Sequence, residues 1–455
     1  MLYIFIFLHN IYKIYIIIIF ITIFYIFLKF SNTQQNEKLF QNKHFINENK
    51  AKSRYRIIQE DIKSLYENNT EFNKLIADLN NYSNKTKKTN IIFSDYYISN
   101  SCLDKNAFLL FEYYLKNNID FPYYIVNNES DFYFSLLKKN KTKNLILYND
   151  RDIKSFYNNL YIYLKDTKII VTSYSIRLLQ FISSYVPYIK YLKINHGIKY
   201  FKLYYAKIDI IEQLRNKTNI ICSSPLEYEL LVKKLKYKDE QIYNASLVRY
   251  ERFQFIHKNK SENNCILISF TYRKYDKLVF EKSLYKKNLE NLLNDKELIH
   301  HLSNKKIDLI YIPHHHEVDL GKQYEQNNFD YAEIRNQSSL ENCIEQCSLF
   351  ITDFSSICFD FMFQNKPVLF YSIDKNDTNS YFENKYLNDS NNRIYFGNYF
   401  EDKNLLINKI KYYTNNNFNI GNKLKQNYES IFIVKTKIIS KIVEIINNIV
   451  KRKKF

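Results

Sequence analysis

Glycine and tryptophan are nearly missing from this chain of 455 residues, which has four glycines, five prolines and no tryptophan. Asparagine, lysine, isoleucine and tyrosine dominate instead, and we interpret this mainly as a nucleotide bias of the gene. The net charge of +19 suits an anionic partner, such as a membrane surface, a nucleotide, a polyphosphate or a nucleic acid. Because the same bias accounts for much of this charge, the charge alone identifies no partner.

The sequence also lacks a zinc-binding pattern. Three consecutive histidines, residues 314–316, end a predicted strand, but neighbours in an extended chain point to opposite faces. No HExxH or cysteine pattern accompanies them, so we expect no metal site. The six cysteines lie mostly in apolar strands or helices, which predicts buried, reduced thiols in a cytoplasmic protein. They are Cys102, Cys222, Cys265, Cys343, Cys347 and Cys358.

No small-residue cleavage site follows the hydrophobic N-terminus, so a cleaved signal peptide is not expected. Residues 1–30 predict a membrane anchor helix, which either spans the bilayer or lies in its interface; a buried core helix is the alternative. Lysine and arginine follow this segment on its C-terminal side, which predicts a catalytic body on the cytoplasmic face of the cell membrane. Residues 31–89 are polar and asparagine-rich, and form a predicted spacer with one helix.

The body shows strands that alternate with helical stretches, a pattern typical of parallel α/β sheets. Buried-strand patterns begin at Asn90 and recur near residues 123, 145, 168, 191 and 219. A polar stretch at residues 257–264 marks a predicted domain boundary, and strands resume at residues 265, 306, 349 and 368. We therefore predict an N-terminal Rossmann-like domain over residues 90–256 and a C-terminal one over 257–430. Residues 431–455 predict an amphipathic helix that packs on the core, with membrane binding as the alternative.

The most informative stretch is residues 348–374, SLFITDFSSICFDFMFQNKPVLFYSID. It predicts a strand, a Ser355-Ser356 turn, a helix and a second strand. Hydroxyls and free backbone N–H groups at such a helix N-terminus suit an anion, most often phosphate. An ordinary capped βα turn gives the same local pattern and remains open on these residues alone.

This stretch resembles the C-terminal motif of the CDP-glycerol glycerophosphotransferases, which build teichoic-acid and capsular polymers as primases or polymerases. The matching positions are Thr352, Asp353, Phe354, Ser355, Ser356, Asp360, Lys366 and Pro367. The resemblance implies a GT-B fold of two facing Rossmann-like domains. It also implies transfer of a polyol phosphate from a CDP-linked donor to a hydroxyl of a membrane-linked glycan or polymer. It implies no cofactor and no nucleic-acid partner.

Further motifs extend the resemblance along the chain. His196-Gly197 follows a predicted strand and matches the family's Trp-His-Gly motif, with Asn195 in place of tryptophan. His196 is therefore the expected general base. The remaining matches are expected to contact the donor, with His315 as the runner-up to His314. These donor residues are Gly197, Arg249, Thr271, Arg273, His314, Ser355, Ser356 and Asp360.

Two alternatives to this function remain open at the level of sequence. A GT-B glycosyltransferase that uses a nucleotide sugar has the same fold, because fold does not fix the donor. An inactive, membrane-anchored scaffold of envelope assembly is the other, because several motif positions are changed. For Asp360, a helix carboxylate favoured by the dipole is the structural alternative to donor contact.

Overall fold

The computed structural model describes most of the chain from residue 70 onward. The described residues are 70–82, 90–95, 105–127, 131–139, 143–148, 160–173, 177–195, 197–198, 212–256, 264–271, 273, 280–314, 329–336, 339–353, 355–374 and 398–452.

The chain divides into two compact units, Met1–Lys74 and Leu75–Phe455, and both sheets belong to the second. The predicted anchor at residues 1–30, and most of the predicted spacer, lie outside the described residues. Within the part of the chain that is described, no helix is both long enough and apolar enough to cross a bilayer.

The first sheet has seven parallel strands in the order β3-β2-β1-β4-β5-β6-β7. Its strands are β1 (Asn90–Ser94), β2 (Phe121–Asn127), β3 (Leu145–Tyr148), β4 (Thr167–Thr172), β5 (Lys190–Lys193), β6 (Thr218–Cys222) and β7 (Ile242–Asn244). This is the doubly wound strand order, which reverses direction between β1 and β4.

The second sheet has six parallel strands in the order β10-β9-β8-β11-β12-β13. Its strands are β8 (Cys265–Ile268), β9 (Asp308–Tyr311), β10 (Glu333–Ile334), β11 (Leu349–Thr352), β12 (Val368–Tyr371) and β13 (Asn398–Phe400). The predicted parallel α/β architecture is confirmed. The short outer strands β7, β10 and β13 were not predicted, because two or three residues carry no periodicity.

Helices connect the strands of both sheets. They are α1 (Thr70–Asn81), α2 (Asn106–Lys116), α3 (Asp131–Lys138), α4 (Arg177–Tyr185), α5 (Glu212–Lys217), α6 (Pro225–Lys233), α7 (Tyr250–Ile256), α8 (Leu284–Leu293), α9 (Lys296–Lys305), α10 (Leu340–Gln346), α11 (Cys358–Phe363), α12 (Lys403–Asn415), α13 (Gly421–Ile431) and α14 (Ile438–Lys451).

The last helix, α14, returns to the first sheet, which confirms that its apolar face packs in the core. Ile438, Ile442 and Ile446 on this face are fully buried. A residue far away in the sequence holds the N-terminus of α14. The Glu251 carboxylate accepts hydrogen bonds from the backbone N–H groups of Ile438 (2.5 Å) and Ile439 (3.2 Å). An acidic group is favourable there, since a helix N-terminus carries partial positive charge.

The cysteines depart in part from the prediction. Cys222, Cys343 and Cys358 are buried and free, as expected, but Cys265 and Cys347 form a disulfide with a Cα–Cα distance of 4.5 Å. The two residues meet because β8 and β11 are neighbours, and the Ser348 N–H donates to the Cys265 carbonyl at 2.8 Å. A pairing across 82 residues of chain cannot be seen in local patterns.

Replacing Glu251 with alanine should loosen α14 without unfolding the sheets. The change leaves two N–H groups of the helix without their acceptor, so we expect a loss of about 0.5–2 kcal/mol in unfolding free energy. Glu229→Ala is the control, because Glu229 forms an exposed ion pair with Lys233 and should contribute less than about 0.5 kcal/mol. Equal losses for both variants in urea titrations would contradict this role for Glu251.

Candidate functional site

Polar side chains gather beyond the carboxyl ends of the central strands of the second sheet. Ser269 and Thr271 follow β8, Asp353 follows β11, and Asp374 follows β12; all four are buried. Because β8, β11 and β12 are adjacent and parallel, their ends lie at one edge of the sheet. Ligands of open α/β sheets bind at this edge.

The Ser355-Ser356 turn lies just after this edge, but it does not cap the helix as the sequence predicted. Helix α11 begins at Cys358, and Ile357, which makes no capping bond through its side chain, occupies the N-cap position. The Ser355 hydroxyl accepts one long hydrogen bond from the Ile357 N–H, at 3.4 Å. The two serines therefore form a turn in front of a short helix, and their hydroxyls contribute little to its stability.

Asp353 links this turn to the end of β8. Its Oδ1 atom accepts hydrogen bonds from the Thr271 N–H (2.9 Å) and the Thr271 hydroxyl (2.8 Å). Its Oδ2 atom accepts from Nη1 of Arg273 at 2.6 Å. Both strand ends are thus fixed by one buried carboxylate.

Arg273 is enclosed by protein acceptors. Nε and Nη2 donate to the two carboxylate oxygens of Asp374 at 2.7 and 2.9 Å, and Nη1 also donates to the Thr271 carbonyl at 2.7 Å. The guanidinium lies 5.2 Å from the centre of the Tyr285 ring. Although burial by itself lowers the pKa of Arg273, the two carboxylates outweigh it and raise the pKa well above its ordinary value.

Donor contact by Arg273 stays a prediction. The geometry shows a structural role, because the residue joins two buried carboxylates. Its side chain is 1% exposed. A buried arginine between two carboxylates fixes the ends of β8, β11 and β12 relative to one another. Any effect of Arg273 on a ligand therefore includes its effect on Thr271, Asp353 and Asp374.

Arg249 and Asp360 form a buried ion pair that links the end of the first sheet's part of the chain to a helix of the second sheet. Arg249 immediately precedes α7, and Asp360 lies in α11. Nε and Nη2 of Arg249 donate to the two oxygens of Asp360 at 2.5 and 2.8 Å, and the side chains are 7% and 0% exposed. The two positions predicted to contact the donor thus contact each other.

Gly197, four residues after the end of β5 in the first sheet, approaches the Ser-Ser turn of the second sheet. A Cβ atom placed on Gly197 would lie 3.1 Å from Oγ of Ser356, a distance that few side chains tolerate. Glycine therefore permits the close approach of the two turns. His196 itself lies outside the described residues, but Asn195 and Gly197 on either side of it are described.

The remaining predicted residue, His314, follows β9 after Ile312 and Pro313. The Ile312 N–H donates to the Ile268 carbonyl at 3.0 Å, so β9 runs beside β8 up to this point. His314 is therefore partly buried near the edge that carries Thr271. The runner-up, His315, lies outside the described residues.

Sequence reasoning missed three residues of this region: Asn106, Glu227 and Asp374. Each is buried and polar. Asp374 gave a usable signal, since a carboxylate three residues after a buried strand lies at the ligand edge of the sheet. Asn106 and Glu227 gave none, because each lies in the first turn of a helix, where polar residues are common.

The fold and this arrangement define a class of protein: a two-sheet parallel α/β protein with buried polar residues beyond the strand ends, where such sheets bind ligands. A sequence profile of the CDP-Glycerol:Poly(glycerophosphate) glycerophosphotransferase family matches residues 76–446. The match covers more than half of the chain, and the chain therefore belongs to this family.

A sequence relative and solved structures of the same fold accompany this match. The minor teichoic acid biosynthesis protein GgaB of Bacillus subtilis (strain 168) is 27% identical over 378 residues, a match that covers 76% of this chain and 39% of GgaB. The chain thus spans about two fifths of that protein. The wall teichoic acid polymerase TagF is similar in structure, with a TM-score of 0.54 and 15% identity over 88% of this chain and 98% of that one. A TagF variant soaked with CDPG gives a TM-score of 0.55 and 14% identity over the same shares.

Arg273→Ala should destabilise the protein strongly, because it leaves Asp353 and Asp374 buried without their common cation. We expect a loss of about 3–5 kcal/mol in unfolding free energy, measured by denaturant titration. Arg335→Ala is the control, since Arg335 pairs with a largely exposed Glu333 and should contribute less than about 1 kcal/mol. A loss for Arg273→Ala no larger than that of the control would contradict the enclosed geometry.

Proposed function

We propose that the protein transfers glycerol phosphate, or a related polyol phosphate, from a CDP-linked donor to a hydroxyl of a membrane-linked polymer. The single observation that carries this proposal is the close approach of Gly197 and Ser356. It brings together the turn that contains the expected general base and the turn expected to hold the donor. Membership of the glycerophosphotransferase family supports the donor class.

The reaction follows from this juxtaposition. An acceptor oxygen attacks the phosphorus that bears the glycerol, and a new P–O bond forms. The bond from that phosphorus to the bridging oxygen breaks, and CMP leaves with the electron pair. His196 takes the proton of the acceptor hydroxyl as general base. No net oxidation occurs, and the proton passes to solvent.

The donor diphosphate would lie beyond the ends of β8, β9 and β11. Ser355 and Ser356 offer hydroxyl donors there, and His314 offers a ring N–H on the other side of Thr271. Such polar groups stabilise charge that develops on the phosphate oxygens during transfer. Arg273 supports these groups indirectly, because its bonds to Asp353 and Asp374 hold the strand ends from which they extend.

The acceptor and the location of the reaction form part of the proposal. GgaB is named for minor teichoic acid biosynthesis, which supports a teichoic-acid polymer as the acceptor. The hydrophobic sequence of residues 1–30 would anchor the body at the cytoplasmic face of the membrane. We further propose that the two sheets belong to the two facing domains of a GT-B fold, with the acceptor on the first and the donor on the second.

His196→Ala should lower turnover by about 10²–10⁴-fold while the melting temperature stays near that of the wild type. The reason is that the acceptor hydroxyl loses its proton acceptor. Turnover is measured as CMP released from CDP-glycerol in the presence of an acceptor polymer. Near-wild-type turnover would remove His196 from the mechanism.

The serine turn provides the test of donor binding. Replacing both Ser355 and Ser356 with alanine should weaken CDP-glycerol binding more than tenfold, because hydrogen bonds to a charged group contribute about 1.5–3 kcal/mol each. The stability of the variant should change little, since the one hydroxyl bond to the helix is long. Calorimetric donor affinity and the melting temperature are measured on the same samples.

Ser355→Asp separates the donor role from a local backbone role. A carboxylate still accepts a hydrogen bond from the Ile357 N–H, but it places negative charge where the diphosphate is expected. We therefore expect donor binding weaker than in the double alanine variant. An aspartate variant that binds CDP-glycerol like the wild type would contradict the proposed donor site.

A further inference from the structure

We propose that Asn106 is a positioning residue, which joins the donor-side helix α11 to the backbone that precedes His196. This inference rests on the proposed function, because it assumes that the His196 turn carries out the proton transfer. Asn106 belongs to none of the sequence motifs described above.

Asn106 connects two distant backbone groups through its side chain. Nδ2 donates to the Asn195 carbonyl at 3.2 Å, and Oδ1 accepts from the Arg249 N–H at 2.9 Å. A carbonyl only accepts and an amide N–H only donates, so these partners fix the orientation of the side-chain amide. Asn106 is fully buried, and no exposed solvent replaces either bond.

The side chain of Asn106 is not needed to cap its own helix. Asp95 already accepts hydrogen bonds from the N–H groups of Ala107 (3.1 Å) and Phe108 (2.9 Å), at the start of α2. Because Asp95 satisfies these N–H groups, both polar groups of Asn106 are directed to other parts of the chain. This leaves the link between Asn195 and Arg249 as the specific contribution of Asn106.

Asn195 needs such support because its backbone is left-handed, with φ of +55°. Its own side chain donates to the Ile221 carbonyl at 2.9 Å and to Oε1 of Glu227 at 3.4 Å. Glu227 is held in turn, since its Oε2 accepts from the Ser223 N–H at 2.9 Å. The residue before His196 is therefore fixed through both its side chain and its carbonyl, and Asn106 holds the carbonyl.

The other end of the link reaches the donor side. Arg249, whose N–H binds Asn106, forms the buried bidentate pair with Asp360 of α11. Helix α11 directly follows the Ser355-Ser356 turn. A continuous path of buried contacts thus runs from Asp360 through Arg249 and Asn106 to Asn195, one residue before His196.

This path predicts a defect in chemistry and not in donor binding. Asn106 bonds to the backbone of Asn195 and Arg249, in the part of the chain that carries the first sheet. We therefore expect its loss to displace Asn195, next to His196, and to leave the serine turn in place. A displacement of about 1 Å near the reacting groups is enough to slow a reaction about a hundredfold. An ordinary buried asparagine would reduce stability and leave kcat of the folded protein unchanged.

The test compares two variants of Asn106 with a matched control. Asn106→Ala removes both bonds, whereas Asn106→Asp keeps the acceptor for Arg249 and removes the donor to Asn195. Asn90→Ala is the control, because Asn90 is also buried and donates to a backbone carbonyl, that of Tyr163, at 3.2 Å. Asn90 begins β1, the end of the strand away from the site. CMP release from CDP-glycerol, donor affinity and melting temperature are measured for all three in the full chain.

We expect kcat to fall about 10–100-fold for both Asn106 variants, with donor affinity within about threefold of the wild type. Asn90→Ala should lose stability but keep kcat. If Asn106→Ala does not fold, Asn106→Asp decides alone. A kcat for the Asn106 variants equal to that of the control, or a loss confined to donor affinity, overturns the inference. A wild-type protein that releases no CMP overturns the proposed function first, which separates the two failures.

Discussion

The arrangement of the first sheet relative to the second depends on the buried ion pair of Arg249 and Asp360, which joins α7 to α11. Both charges are withdrawn from water, and such charges are tolerated only when each is paired and hydrogen-bonded by the other. The pair therefore fixes α7 against α11. Around it, Tyr250 stacks on Phe363 at 4.4 Å, and Phe432 meets Phe363 edge-on at 5.1 Å, where the chain crosses back toward α14. Burial raises the pKa of the Tyr250 hydroxyl well above its ordinary value, so it stays neutral inside this cluster.

A second buried arginine gives the donor side its rigidity. Arg273 with Asp353 and Asp374 joins three strand ends, and the Ser-Ser turn follows one of them. Two separate charged clusters therefore support the candidate site. One lies between α7 and α11, and the other lies at the strand ends of the second sheet. In both clusters the guanidinium is buried and paired with carboxylates of the protein.

The local parts of this structure could be predicted from the sequence, and the long-range pairings could not. Alternation of apolar strands with helical segments gave both parallel sheets, and the Ser355-Ser356 stretch gave the family. The partners of Arg249 and Arg273 lie 111, 80 and 101 residues away, and no local pattern identifies them. For the same reason the Cys265–Cys347 pair was missed. Ser355 and Ser356 are strong capping types and were expected to cap α11, but the helix begins at Cys358 with Ile357 at its N-cap.

The most direct test of the account is a panel of CDP- and UDP-linked donors offered to the full-length protein with membranes, with the released nucleotide identified. The account predicts CMP from CDP-glycerol or a related CDP-polyol, dependent on acceptor, and no UDP from nucleotide sugars. Release of UDP from a sugar donor, without CMP from any CDP-linked donor, would contradict it and identify a glycosyltransferase of the same fold.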